Sequence, residues 1–291
     1  MKTGVFGSEY RKDKLMLVKH LFNKLDSLKA EIYIDREFSR ILNNDFGIRH
    51  ITSGILDDDL RNLDIALSVG GDGAFLRTAA RVNRQRIPIL GINAGRLGFL
   101  ADTGGSEMDD FLEEVFKNYY RVEERTLVSL NVKDTSIAGH NYALNEIAIL
   151  KRDTSSMLTI HASIDNEYLA TYMADGLIVA TPTGSTAYSL SVNGPIIVPQ
   201  SNSLLISPIA PHTLNMRPLV IPDTSVVSLT VDCRTDSFLA AIDGRSEPLP
   251  AGSVLTIAQA DYKALIVKRH NHTFYDTLRR KLLWGADARF Y

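Results

Sequence analysis

Asp64-Ile65-Ala66-Leu67-Ser68-Val69-Gly70-Gly71-Asp72-Gly73 is the stretch on which the fold turns. Asp64–Val69 is an apolar run of strand length, and it enters a glycine-rich turn directly. Phe75 to Arg84 then reads as a helix. Ile87–Ile92 reads as the next strand, closed by a loop with Asn93, Gly95 and Gly98. Strand, loop, helix and strand in this order imply an open, largely parallel sheet. Ligands on such sheets sit beyond the carboxyl ends of the strands, where this glycine loop falls.

Outward from that unit the same rhythm holds. Thr3–Phe6 and Glu31–Ile34 are strand candidates, and Leu15, Val18, Phe22 and Leu25 make the apolar stripe of a helix between them. Downstream, Met108–Tyr120 is a further helix with Phe111, Leu112, Val115 and Phe116 on one side. The character then changes to short β-rich runs between turn residues: Ser129–Val132, Tyr142–Leu150, Leu158–Ile164, Val226–Val231, Phe238–Ile242 and Val254–Ile257. Phe274 to Trp284 is helical again. The fold class read from this is α/β plus all-β. A Rossmann-like open α/β domain covers residues 1–105 and regains the C-terminal helix of about 270–291. A predominantly β, sandwich-like domain covers residues 106–269.

The 291 residues are 45% apolar and 23% charged, the composition of a soluble globular chain with a substantial core. A net charge of −2 gives no global basic field for nucleic acid. Positive potential for a polyphosphate must therefore come locally, from backbone amides, helix ends or a metal ion. Cys233 is the one cysteine, Met1 to Lys12 lacks a signal-peptide core, and no apolar run nears the ~20 residues that span a bilayer. A cytoplasmic protein with no membrane or nucleic-acid partner is expected.

In Gly70-Gly71-Asp72-Gly73 the glycines admit close approach of an anion to the backbone, and the following helix adds its positive end. Asp72 would repel a phosphate. It suits a hydroxyl-proton acceptor or an indirect partner of a metal ion. Arg77, one helical turn on, is in reach of a phosphate, although most lone helix arginines are simply solvated. No glycine is followed by lysine, so there is no Walker A loop, and neither His-Arg-Asp nor Gly-x-Gly-x-x-Gly is present.

In the second domain, Asn145-Glu146 lies inside the apolar run Ala143 to Leu150. A carboxylate there needs hydrogen-bond donors, which a ribose diol supplies. Adjacent strand residues face opposite ways, so both can touch one sugar only if the backbone is irregular or main-chain atoms take part. The stretch Asp175 to Tyr188 joins a buried strand, Leu177–Ala180, to a turn set by Pro182 and Gly184, with Ser185 or Thr186 as a helix cap. Such a turn suits a purine, and equally a capped turn with a core tyrosine. Asp243-Gly244 reads as a hairpin turn, and His270 and His272 as surface residues.

Together these segments resemble the NAD kinase family over nearly the whole length. The matching motifs are Gly70–Gly73, Gly91–Phe99, Asn145-Glu146, Thr181–Tyr188, Pro211-His212 and Asp243-Gly244, in the family's order. The first is shared with lipid kinases and phosphofructokinases; the Asn-Glu pair with the threonine-rich turn is highly specific. A lipid kinase of the wider group would be expected to carry membrane-contacting segments, and none is found. The resemblance implies transfer of the γ-phosphoryl group of ATP, with Mg2+, to the adenosine-ribose 2′-hydroxyl of NAD. It implies Asp72 as proton acceptor. The implied nucleotide contacts are Gly70, Gly71, Gly73, Arg77, Phe99, Asn145, Glu146, the stretch Thr186, Ala187, Tyr188, Ser189, Leu190 and Ser191, and the backbone of Ala210. Asp175 is implied to reach NAD from a neighbouring subunit, hence a homodimer or homotetramer. Two positions depart from the pattern. Ala74 stands where the family usually has threonine, which brings reduced turnover, or a non-catalytic NAD(P) sensor, into view. Arg245 stands where many relatives have glutamine, and is counted among the nucleotide-contacting residues.

Overall fold

The computed structural model describes residues 1–7, 15–46, 52–57, 59–60, 62–95, 98–152 and 156–285. Arg96 and Leu97 of the expected Gly91–Phe99 loop lie outside them. The chain divides into two compact units, Met1–Glu124 with Ala264–Tyr291, and Arg125–Lys263.

In the first unit the elements run β1 (Lys2–Gly7), α1 (Leu15–Ser27), β2 (Glu31–Asp35), α2 (Arg36–Phe46), β3 (Gly54–Leu56), β4 (Ile65–Gly70), α3 (Asp72–Val82), β5 (Ile89–Asn93) and α4 (Met108–Phe116). The strands pair in parallel in the order β3-β2-β1-β4-β5. The order reverses between β1 and β4, so the crevice for a ligand opens at their carboxyl ends. All six residues of β4 are buried, which explains a sequence apolar but for Ser68, whose hydroxyl accepts from that of Thr78. The core joins Val5, Leu67, Val69 and Ile92 of the sheet to Val18, Phe22 and Leu25 of α1 and to Met108, Phe111, Leu112 and Val115 of α4. Because α4 buries its stripe here, the boundary falls after Glu124 rather than near residue 105. Helix α2 escapes a reading by periodicity, since among residues 36–44, whose side chains are described, Phe38 and Leu42 enter that core. Its start is fixed by Asp35, whose Oδ2 accepts the N–H of Glu37 and Phe38.

The second unit takes most of β6 (Arg121–Val132), then β7 (Tyr142–Ala143), β8 (Glu146–Leu150), β9 (Leu158–Ile164), β10 (Glu167–Ala174), β11 (Gly176–Ala180), α5 (Tyr188–Ser191), β12 (Ser203–Ile209), β13 (Leu219–Pro222), β14 (Val227–Asp232), β15 (Ser237–Ile242), β16 (Arg245–Pro250) and the first part of β17 (Val254–Lys268). The last residues of β17 and the helix α6 (Phe274–Leu282) belong to the first unit. One face-to-face layer is β10-β9-β14-β17 with β6 and β7; the other is the antiparallel sheet β13-β12-β11-β8-β15-β16. Alternation decides what lies between them. Ile147 and Ile149, Leu177 and Val179, and Leu204 and Ile206 point into the sandwich with Ile160, Leu229 and Leu255. Ala148, Ile178, Ala180 and Leu205 point the other way, onto Val192 and Ile197. The central strands β12, β11 and β8 of the second sheet are thus buried on both faces.

Candidate functional site

In the first unit the chemistry gathers where β4 ends. Gly71 caps α3 in an extended conformation, and Asp72 is the helix's first residue. Gly71 has open space around it. At Gly73 a Cβ would meet only the side chain of Arg77, whose Nη1 would stand 4.0 Å away. The first turn is therefore accessible. Helix-end amides lack intrahelical partners, so this turn is receptive to an anion, with a guanidinium folded back over it. Asp72 itself is turned away from that surface. Its Oδ2 accepts the N–H of Phe99 at 2.9 Å, and its Oδ1 accepts those of Leu100 and Ala101, both at 3.0 Å. Gly98 is obligatory here, because a Cβ would lie 2.0 Å from Oδ1. Asn93 fixes the same loop: its side-chain amide donates to the carbonyl of Ala101 and its Oδ1 accepts from Gly95. One residue on, the buried Asp102 pairs closely with Lys268, and His272 Nδ1 lies 3.5 Å from the same carboxylate. His272, expected at the surface, is therefore a largely buried part of the loop's footing.

Beside the switch point lies a cleft of about 460 Å³, lined by Phe6, Gly7, Asp35, Glu37, Arg77, Thr78 and Arg81. Sequence reading missed it because its walls come from four elements, β1, β2, α2 and α3. Ala74, the departure from the family pattern, is only 4% exposed.

In the second unit the run expected as one strand is broken at Leu144 and Asn145, and the break is what presents Asn145-Glu146. Asp243 makes it. Asp243 and Gly244 form the expected two-residue turn, at φ 48° and 83°, closing the Ile242–Arg245 pair. The aspartate has a second task, which its turn signature concealed: its carboxylate accepts the N–H of Leu144 at 2.7 Å, of Asn145 at 2.8 Å and of Glu146 at 3.2 Å. Thr181 holds the other side, with its hydroxyl on the carbonyl of Leu144 and its N–H on that of Asn145. Gly184 must lack a side chain, since a Cβ would meet the carbonyl oxygen of Asn145 at 2.1 Å.

The electrostatics of this pair are unusual. Glu146 is 8% exposed and Asn145 6%. Burial, then the adjacent Asp243, push the Glu146 carboxyl up to about 8, against the pull of the Tyr188 N–H. Burial raises Asp243 to about 6, partly offset by its three backbone donors. Glu146 Oε2 and Asn145 Oδ1 have no hydrogen-bond partner among the described residues. Two buried polar atoms of consecutive residues left unpaired are costly to keep and point to partners that arrive with a ligand.

The threonine-rich turn forms a single 3-10 turn, Gly184–Thr186, followed by α5. Neither Ser185 nor Thr186 caps α5 as expected. Ser185 is buried and bridges Pro182 and Ile197, and Thr186 bonds back to Thr183. Tyr188 and Ser191 are exposed, and Thr186, Ala187 and Leu190 partly so. Ser189 is fully buried with its hydroxyl on Ser207, so its side chain is structural. Arg245, expected to contact nucleotide, has its guanidinium on the carbonyls of Ala138 and His140 and on Glu247, which makes it a strut for that loop.

Asp175 and Ala210 form a separate cluster. The Asp175 N–H donates to Ile209, its carboxylate meets Lys151 at 2.7 Å, and the exposed Ala210 is held at φ 44°. Strand β11 pairs Gly176 with Leu150 and Ala180 with Glu146. The two clusters thus occupy opposite ends of one strand, roughly 13 Å apart at 3.3 Å per residue.

A carboxylate beside open helix-end amides, in a chain that also buries two unpaired polar atoms, suits an enzyme that handles a nucleotide. Known proteins make the class particular. Residues 7–120 match the family described as ATP-NAD kinase N-terminal domain, and residues 144–269 that described as ATP-NAD kinase C-terminal domain. The chain is 51% identical over 289 residues to the NAD kinase of Bacteroides fragilis, covering 99% of this chain and all of that one. It is 42% identical to that of Porphyromonas gingivalis, covering 99% of each. Among solved structures, the NAD kinase of Archaeoglobus fulgidus in complex with ATP aligns with a TM-score of 0.78 at 25% identity, over 98% of this chain and 100% of that one. Yeast NADH kinase complexed with NADH shares the fold, with a TM-score of 0.89 at 22% identity, over 100% and 89%. The chain belongs to the NAD kinase family and is an enzyme of it.

Proposed function

We propose that the enzyme transfers the γ-phosphoryl group of ATP to the 2′-hydroxyl of the adenosine ribose of NAD, giving NADP. Asp72 accepts the hydroxyl's proton. The backbone of Gly70, Gly71 and Gly73 and the guanidinium of Arg77 receive phosphate, and the cleft against α3 receives the donor. Phe99 faces the adenine. Asn145 and Glu146 take hydrogen bonds from sugar hydroxyls, and Thr186, Ala187, Tyr188, Leu190 and Ser191 line the dinucleotide with Tyr188 as its aromatic face. The observation that carries the reading is the orphaned pair, Asn145 Oδ1 and Glu146 Oε2, buried without donors. A vicinal diol supplies two donors at once.

Among the described residues no three His, Cys, Asp or Glu stand close enough to hold a metal. One carboxylate beside a glycine loop fits a divalent ion, Mg2+, that arrives on the ATP phosphates and neutralises their charge. Asp175 and Ala210, far along β11 from Glu146, serve the dinucleotide of a neighbouring copy, so the enzyme works as a homo-oligomer. No helix of the described residues is long and apolar enough to cross a membrane. The one free cysteine, Cys233, suits a reducing cytoplasm.

The test is NADP formation from NAD, ATP and Mg2+ by the purified protein and by Asp72→Asn. The variant should keep NAD affinity and lose about 10³-fold in kcat, the scale of a general base lost from a positioned site. Wild-type turnover in the variant would remove Asp72 from the chemistry. NAD binding without NADP formation by the wild type would mark a sensor.

A further inference from the structure

Helix α6 opens on a closed capping box, with the Thr273 hydroxyl accepting the N–H of Asp276 and the Asp276 carboxylate accepting that of Thr273. It buries Thr277 and Leu278. The ring of Phe274, at its start, lies 6.1 Å from that of Phe99, and Arg280 reaches Glu107. The helix thus rests on the loop whose amides hold Asp72. Its last turn carries Lys281, whose Nζ lies 3.4 Å from Asp72 Oδ2 and 4.7 Å from the centre of the Phe99 ring.

A carboxylate offers about four acceptor positions. Leu100 and Ala101 fill two on Oδ1 of Asp72, and Phe99 one on Oδ2. Lys281 occupies the fourth. Asp72 therefore has no place for the proton of an incoming hydroxyl until a donor leaves. The amides of Leu100 and Ala101 cannot leave, because both residues are buried in the loop. Lys281 can. Lys281 and Asp72 are each 30% exposed, the ammonium rides on a flexible four-carbon stem, and such an ion pair is weakly held. A polyphosphate brings several negative charges to the same place and is the stronger partner.

We propose, resting on the assignment of Asp72 as proton acceptor, that Lys281 is a phosphate-binding residue of the reaction: its ammonium moves from Asp72 Oδ2 to the γ-phosphate of the donor and so frees the acceptor for the ribose hydroxyl. The bond from the ribose oxygen to the γ-phosphorus forms as the bond from that phosphorus to the bridging oxygen breaks. The electron pair of the broken bond leaves with ADP, and the hydroxyl proton passes to Asp72. Lys281 keeps its own proton throughout and offsets charge on the phosphoryl group being transferred. The arrival of donor and the readiness of the base are thereby one event.

The test uses Lys281→Gln and Lys281→Arg in the full-length enzyme, with ATP and NAD varied separately and thermal unfolding recorded. Lys281→Gln should lower kcat about 10- to 100-fold and raise KM for ATP at least about fivefold, the scale of losing one charge-stabilising group. KM for NAD and the unfolding temperature should stay near wild type. Lys281→Arg should restore KM for ATP and most of kcat. Inorganic tripolyphosphate should compete with ATP in the wild type and bind at least about fivefold more weakly to the glutamine variant. Wild-type kinetics in Lys281→Gln, with Asp72→Asn inactive, would overturn this proposal alone. Equal losses in the glutamine and arginine variants, with both KM values and unfolding temperature moving together, would make Lys281 a structural prop and overturn it too. An active Asp72→Asn would instead sink the reading on which it rests.

Discussion

Replacing Glu146 by glutamine should change how the stability of the protein depends on pH, by an amount the structure sets. The Glu146 carboxyl is raised from 4.5 to about 8 in the folded protein. In the unfolded chain it ionises near its ordinary value. Between those values the unfolded state has released a proton that the folded state still holds, so stability falls as pH rises from 4.5, and the loss is complete above 8. Below the lower value the group has no effect. Each unit of pH in that window is worth about 1.4 kcal/mol, so from about pH 5 to about pH 8 the sum is on the order of 4 kcal/mol. Glutamine keeps the shape and has no proton to lose. Urea denaturation of wild type and Glu146→Gln at pH 5, 6, 7 and 8 isolates this group with its coupling to Asp243, because titrations that do not touch Glu146 cancel in the difference. The variant should gain on the wild type by about 4 kcal/mol across the series. Parallel curves would refute the reasoning, since they would mean that Glu146 ionises alike in both states. The same logic extends to ligand: NAD hydroxyls that stabilise the carboxylate should make binding at pH 7 release a proton. Calorimetry in two buffers of different ionisation enthalpy should detect it in the wild type and not in the variant.

Asp243→Ala should destabilise the second unit by about 2–4 kcal/mol, because three N–H groups at the Leu144–Glu146 break lose their acceptor. NAD affinity should fall with it, and unchanged affinity by calorimetry would show that the break holds its shape without the clamp. Asp102→Asn should cost about 3–5 kcal/mol in the urea titration, since it leaves Lys268 buried without its carboxylate; a loss under about 1 kcal/mol would show that the pair is not needed to seat the loop above it.

Much of the architecture was open to a reader of the chain alone. Strand β4, its glycine turn and helix α3 are written locally, because strand and helix periods differ and glycine marks the turn between them. The hydroxyl-rich turn and the Asn145-Glu146 pair were visible for the same reason: an acid inside an apolar run demands an explanation. Helix α2 was not visible, since two buried side chains among residues 36–44, whose side chains are described, leave too faint a stripe. What only tertiary structure decided is how polar groups are spent. Asp243 looks like a turn residue and is also the clamp 99 positions away from Leu144. Arg245 and Ser189 look available and are used up internally. Lys281 looks like helix surface and sits on Asp72, 209 positions earlier. Asp175 belongs to the same hydroxyl-rich stretch as Tyr188 and lies at the other end of strand β11 from Glu146. Hydrophobic patterning is a property of neighbours in sequence, so the chain displays it. The partner of a charge or a hydrogen bond is chosen in space by whichever element folds against it, and nothing local to the residue records that choice.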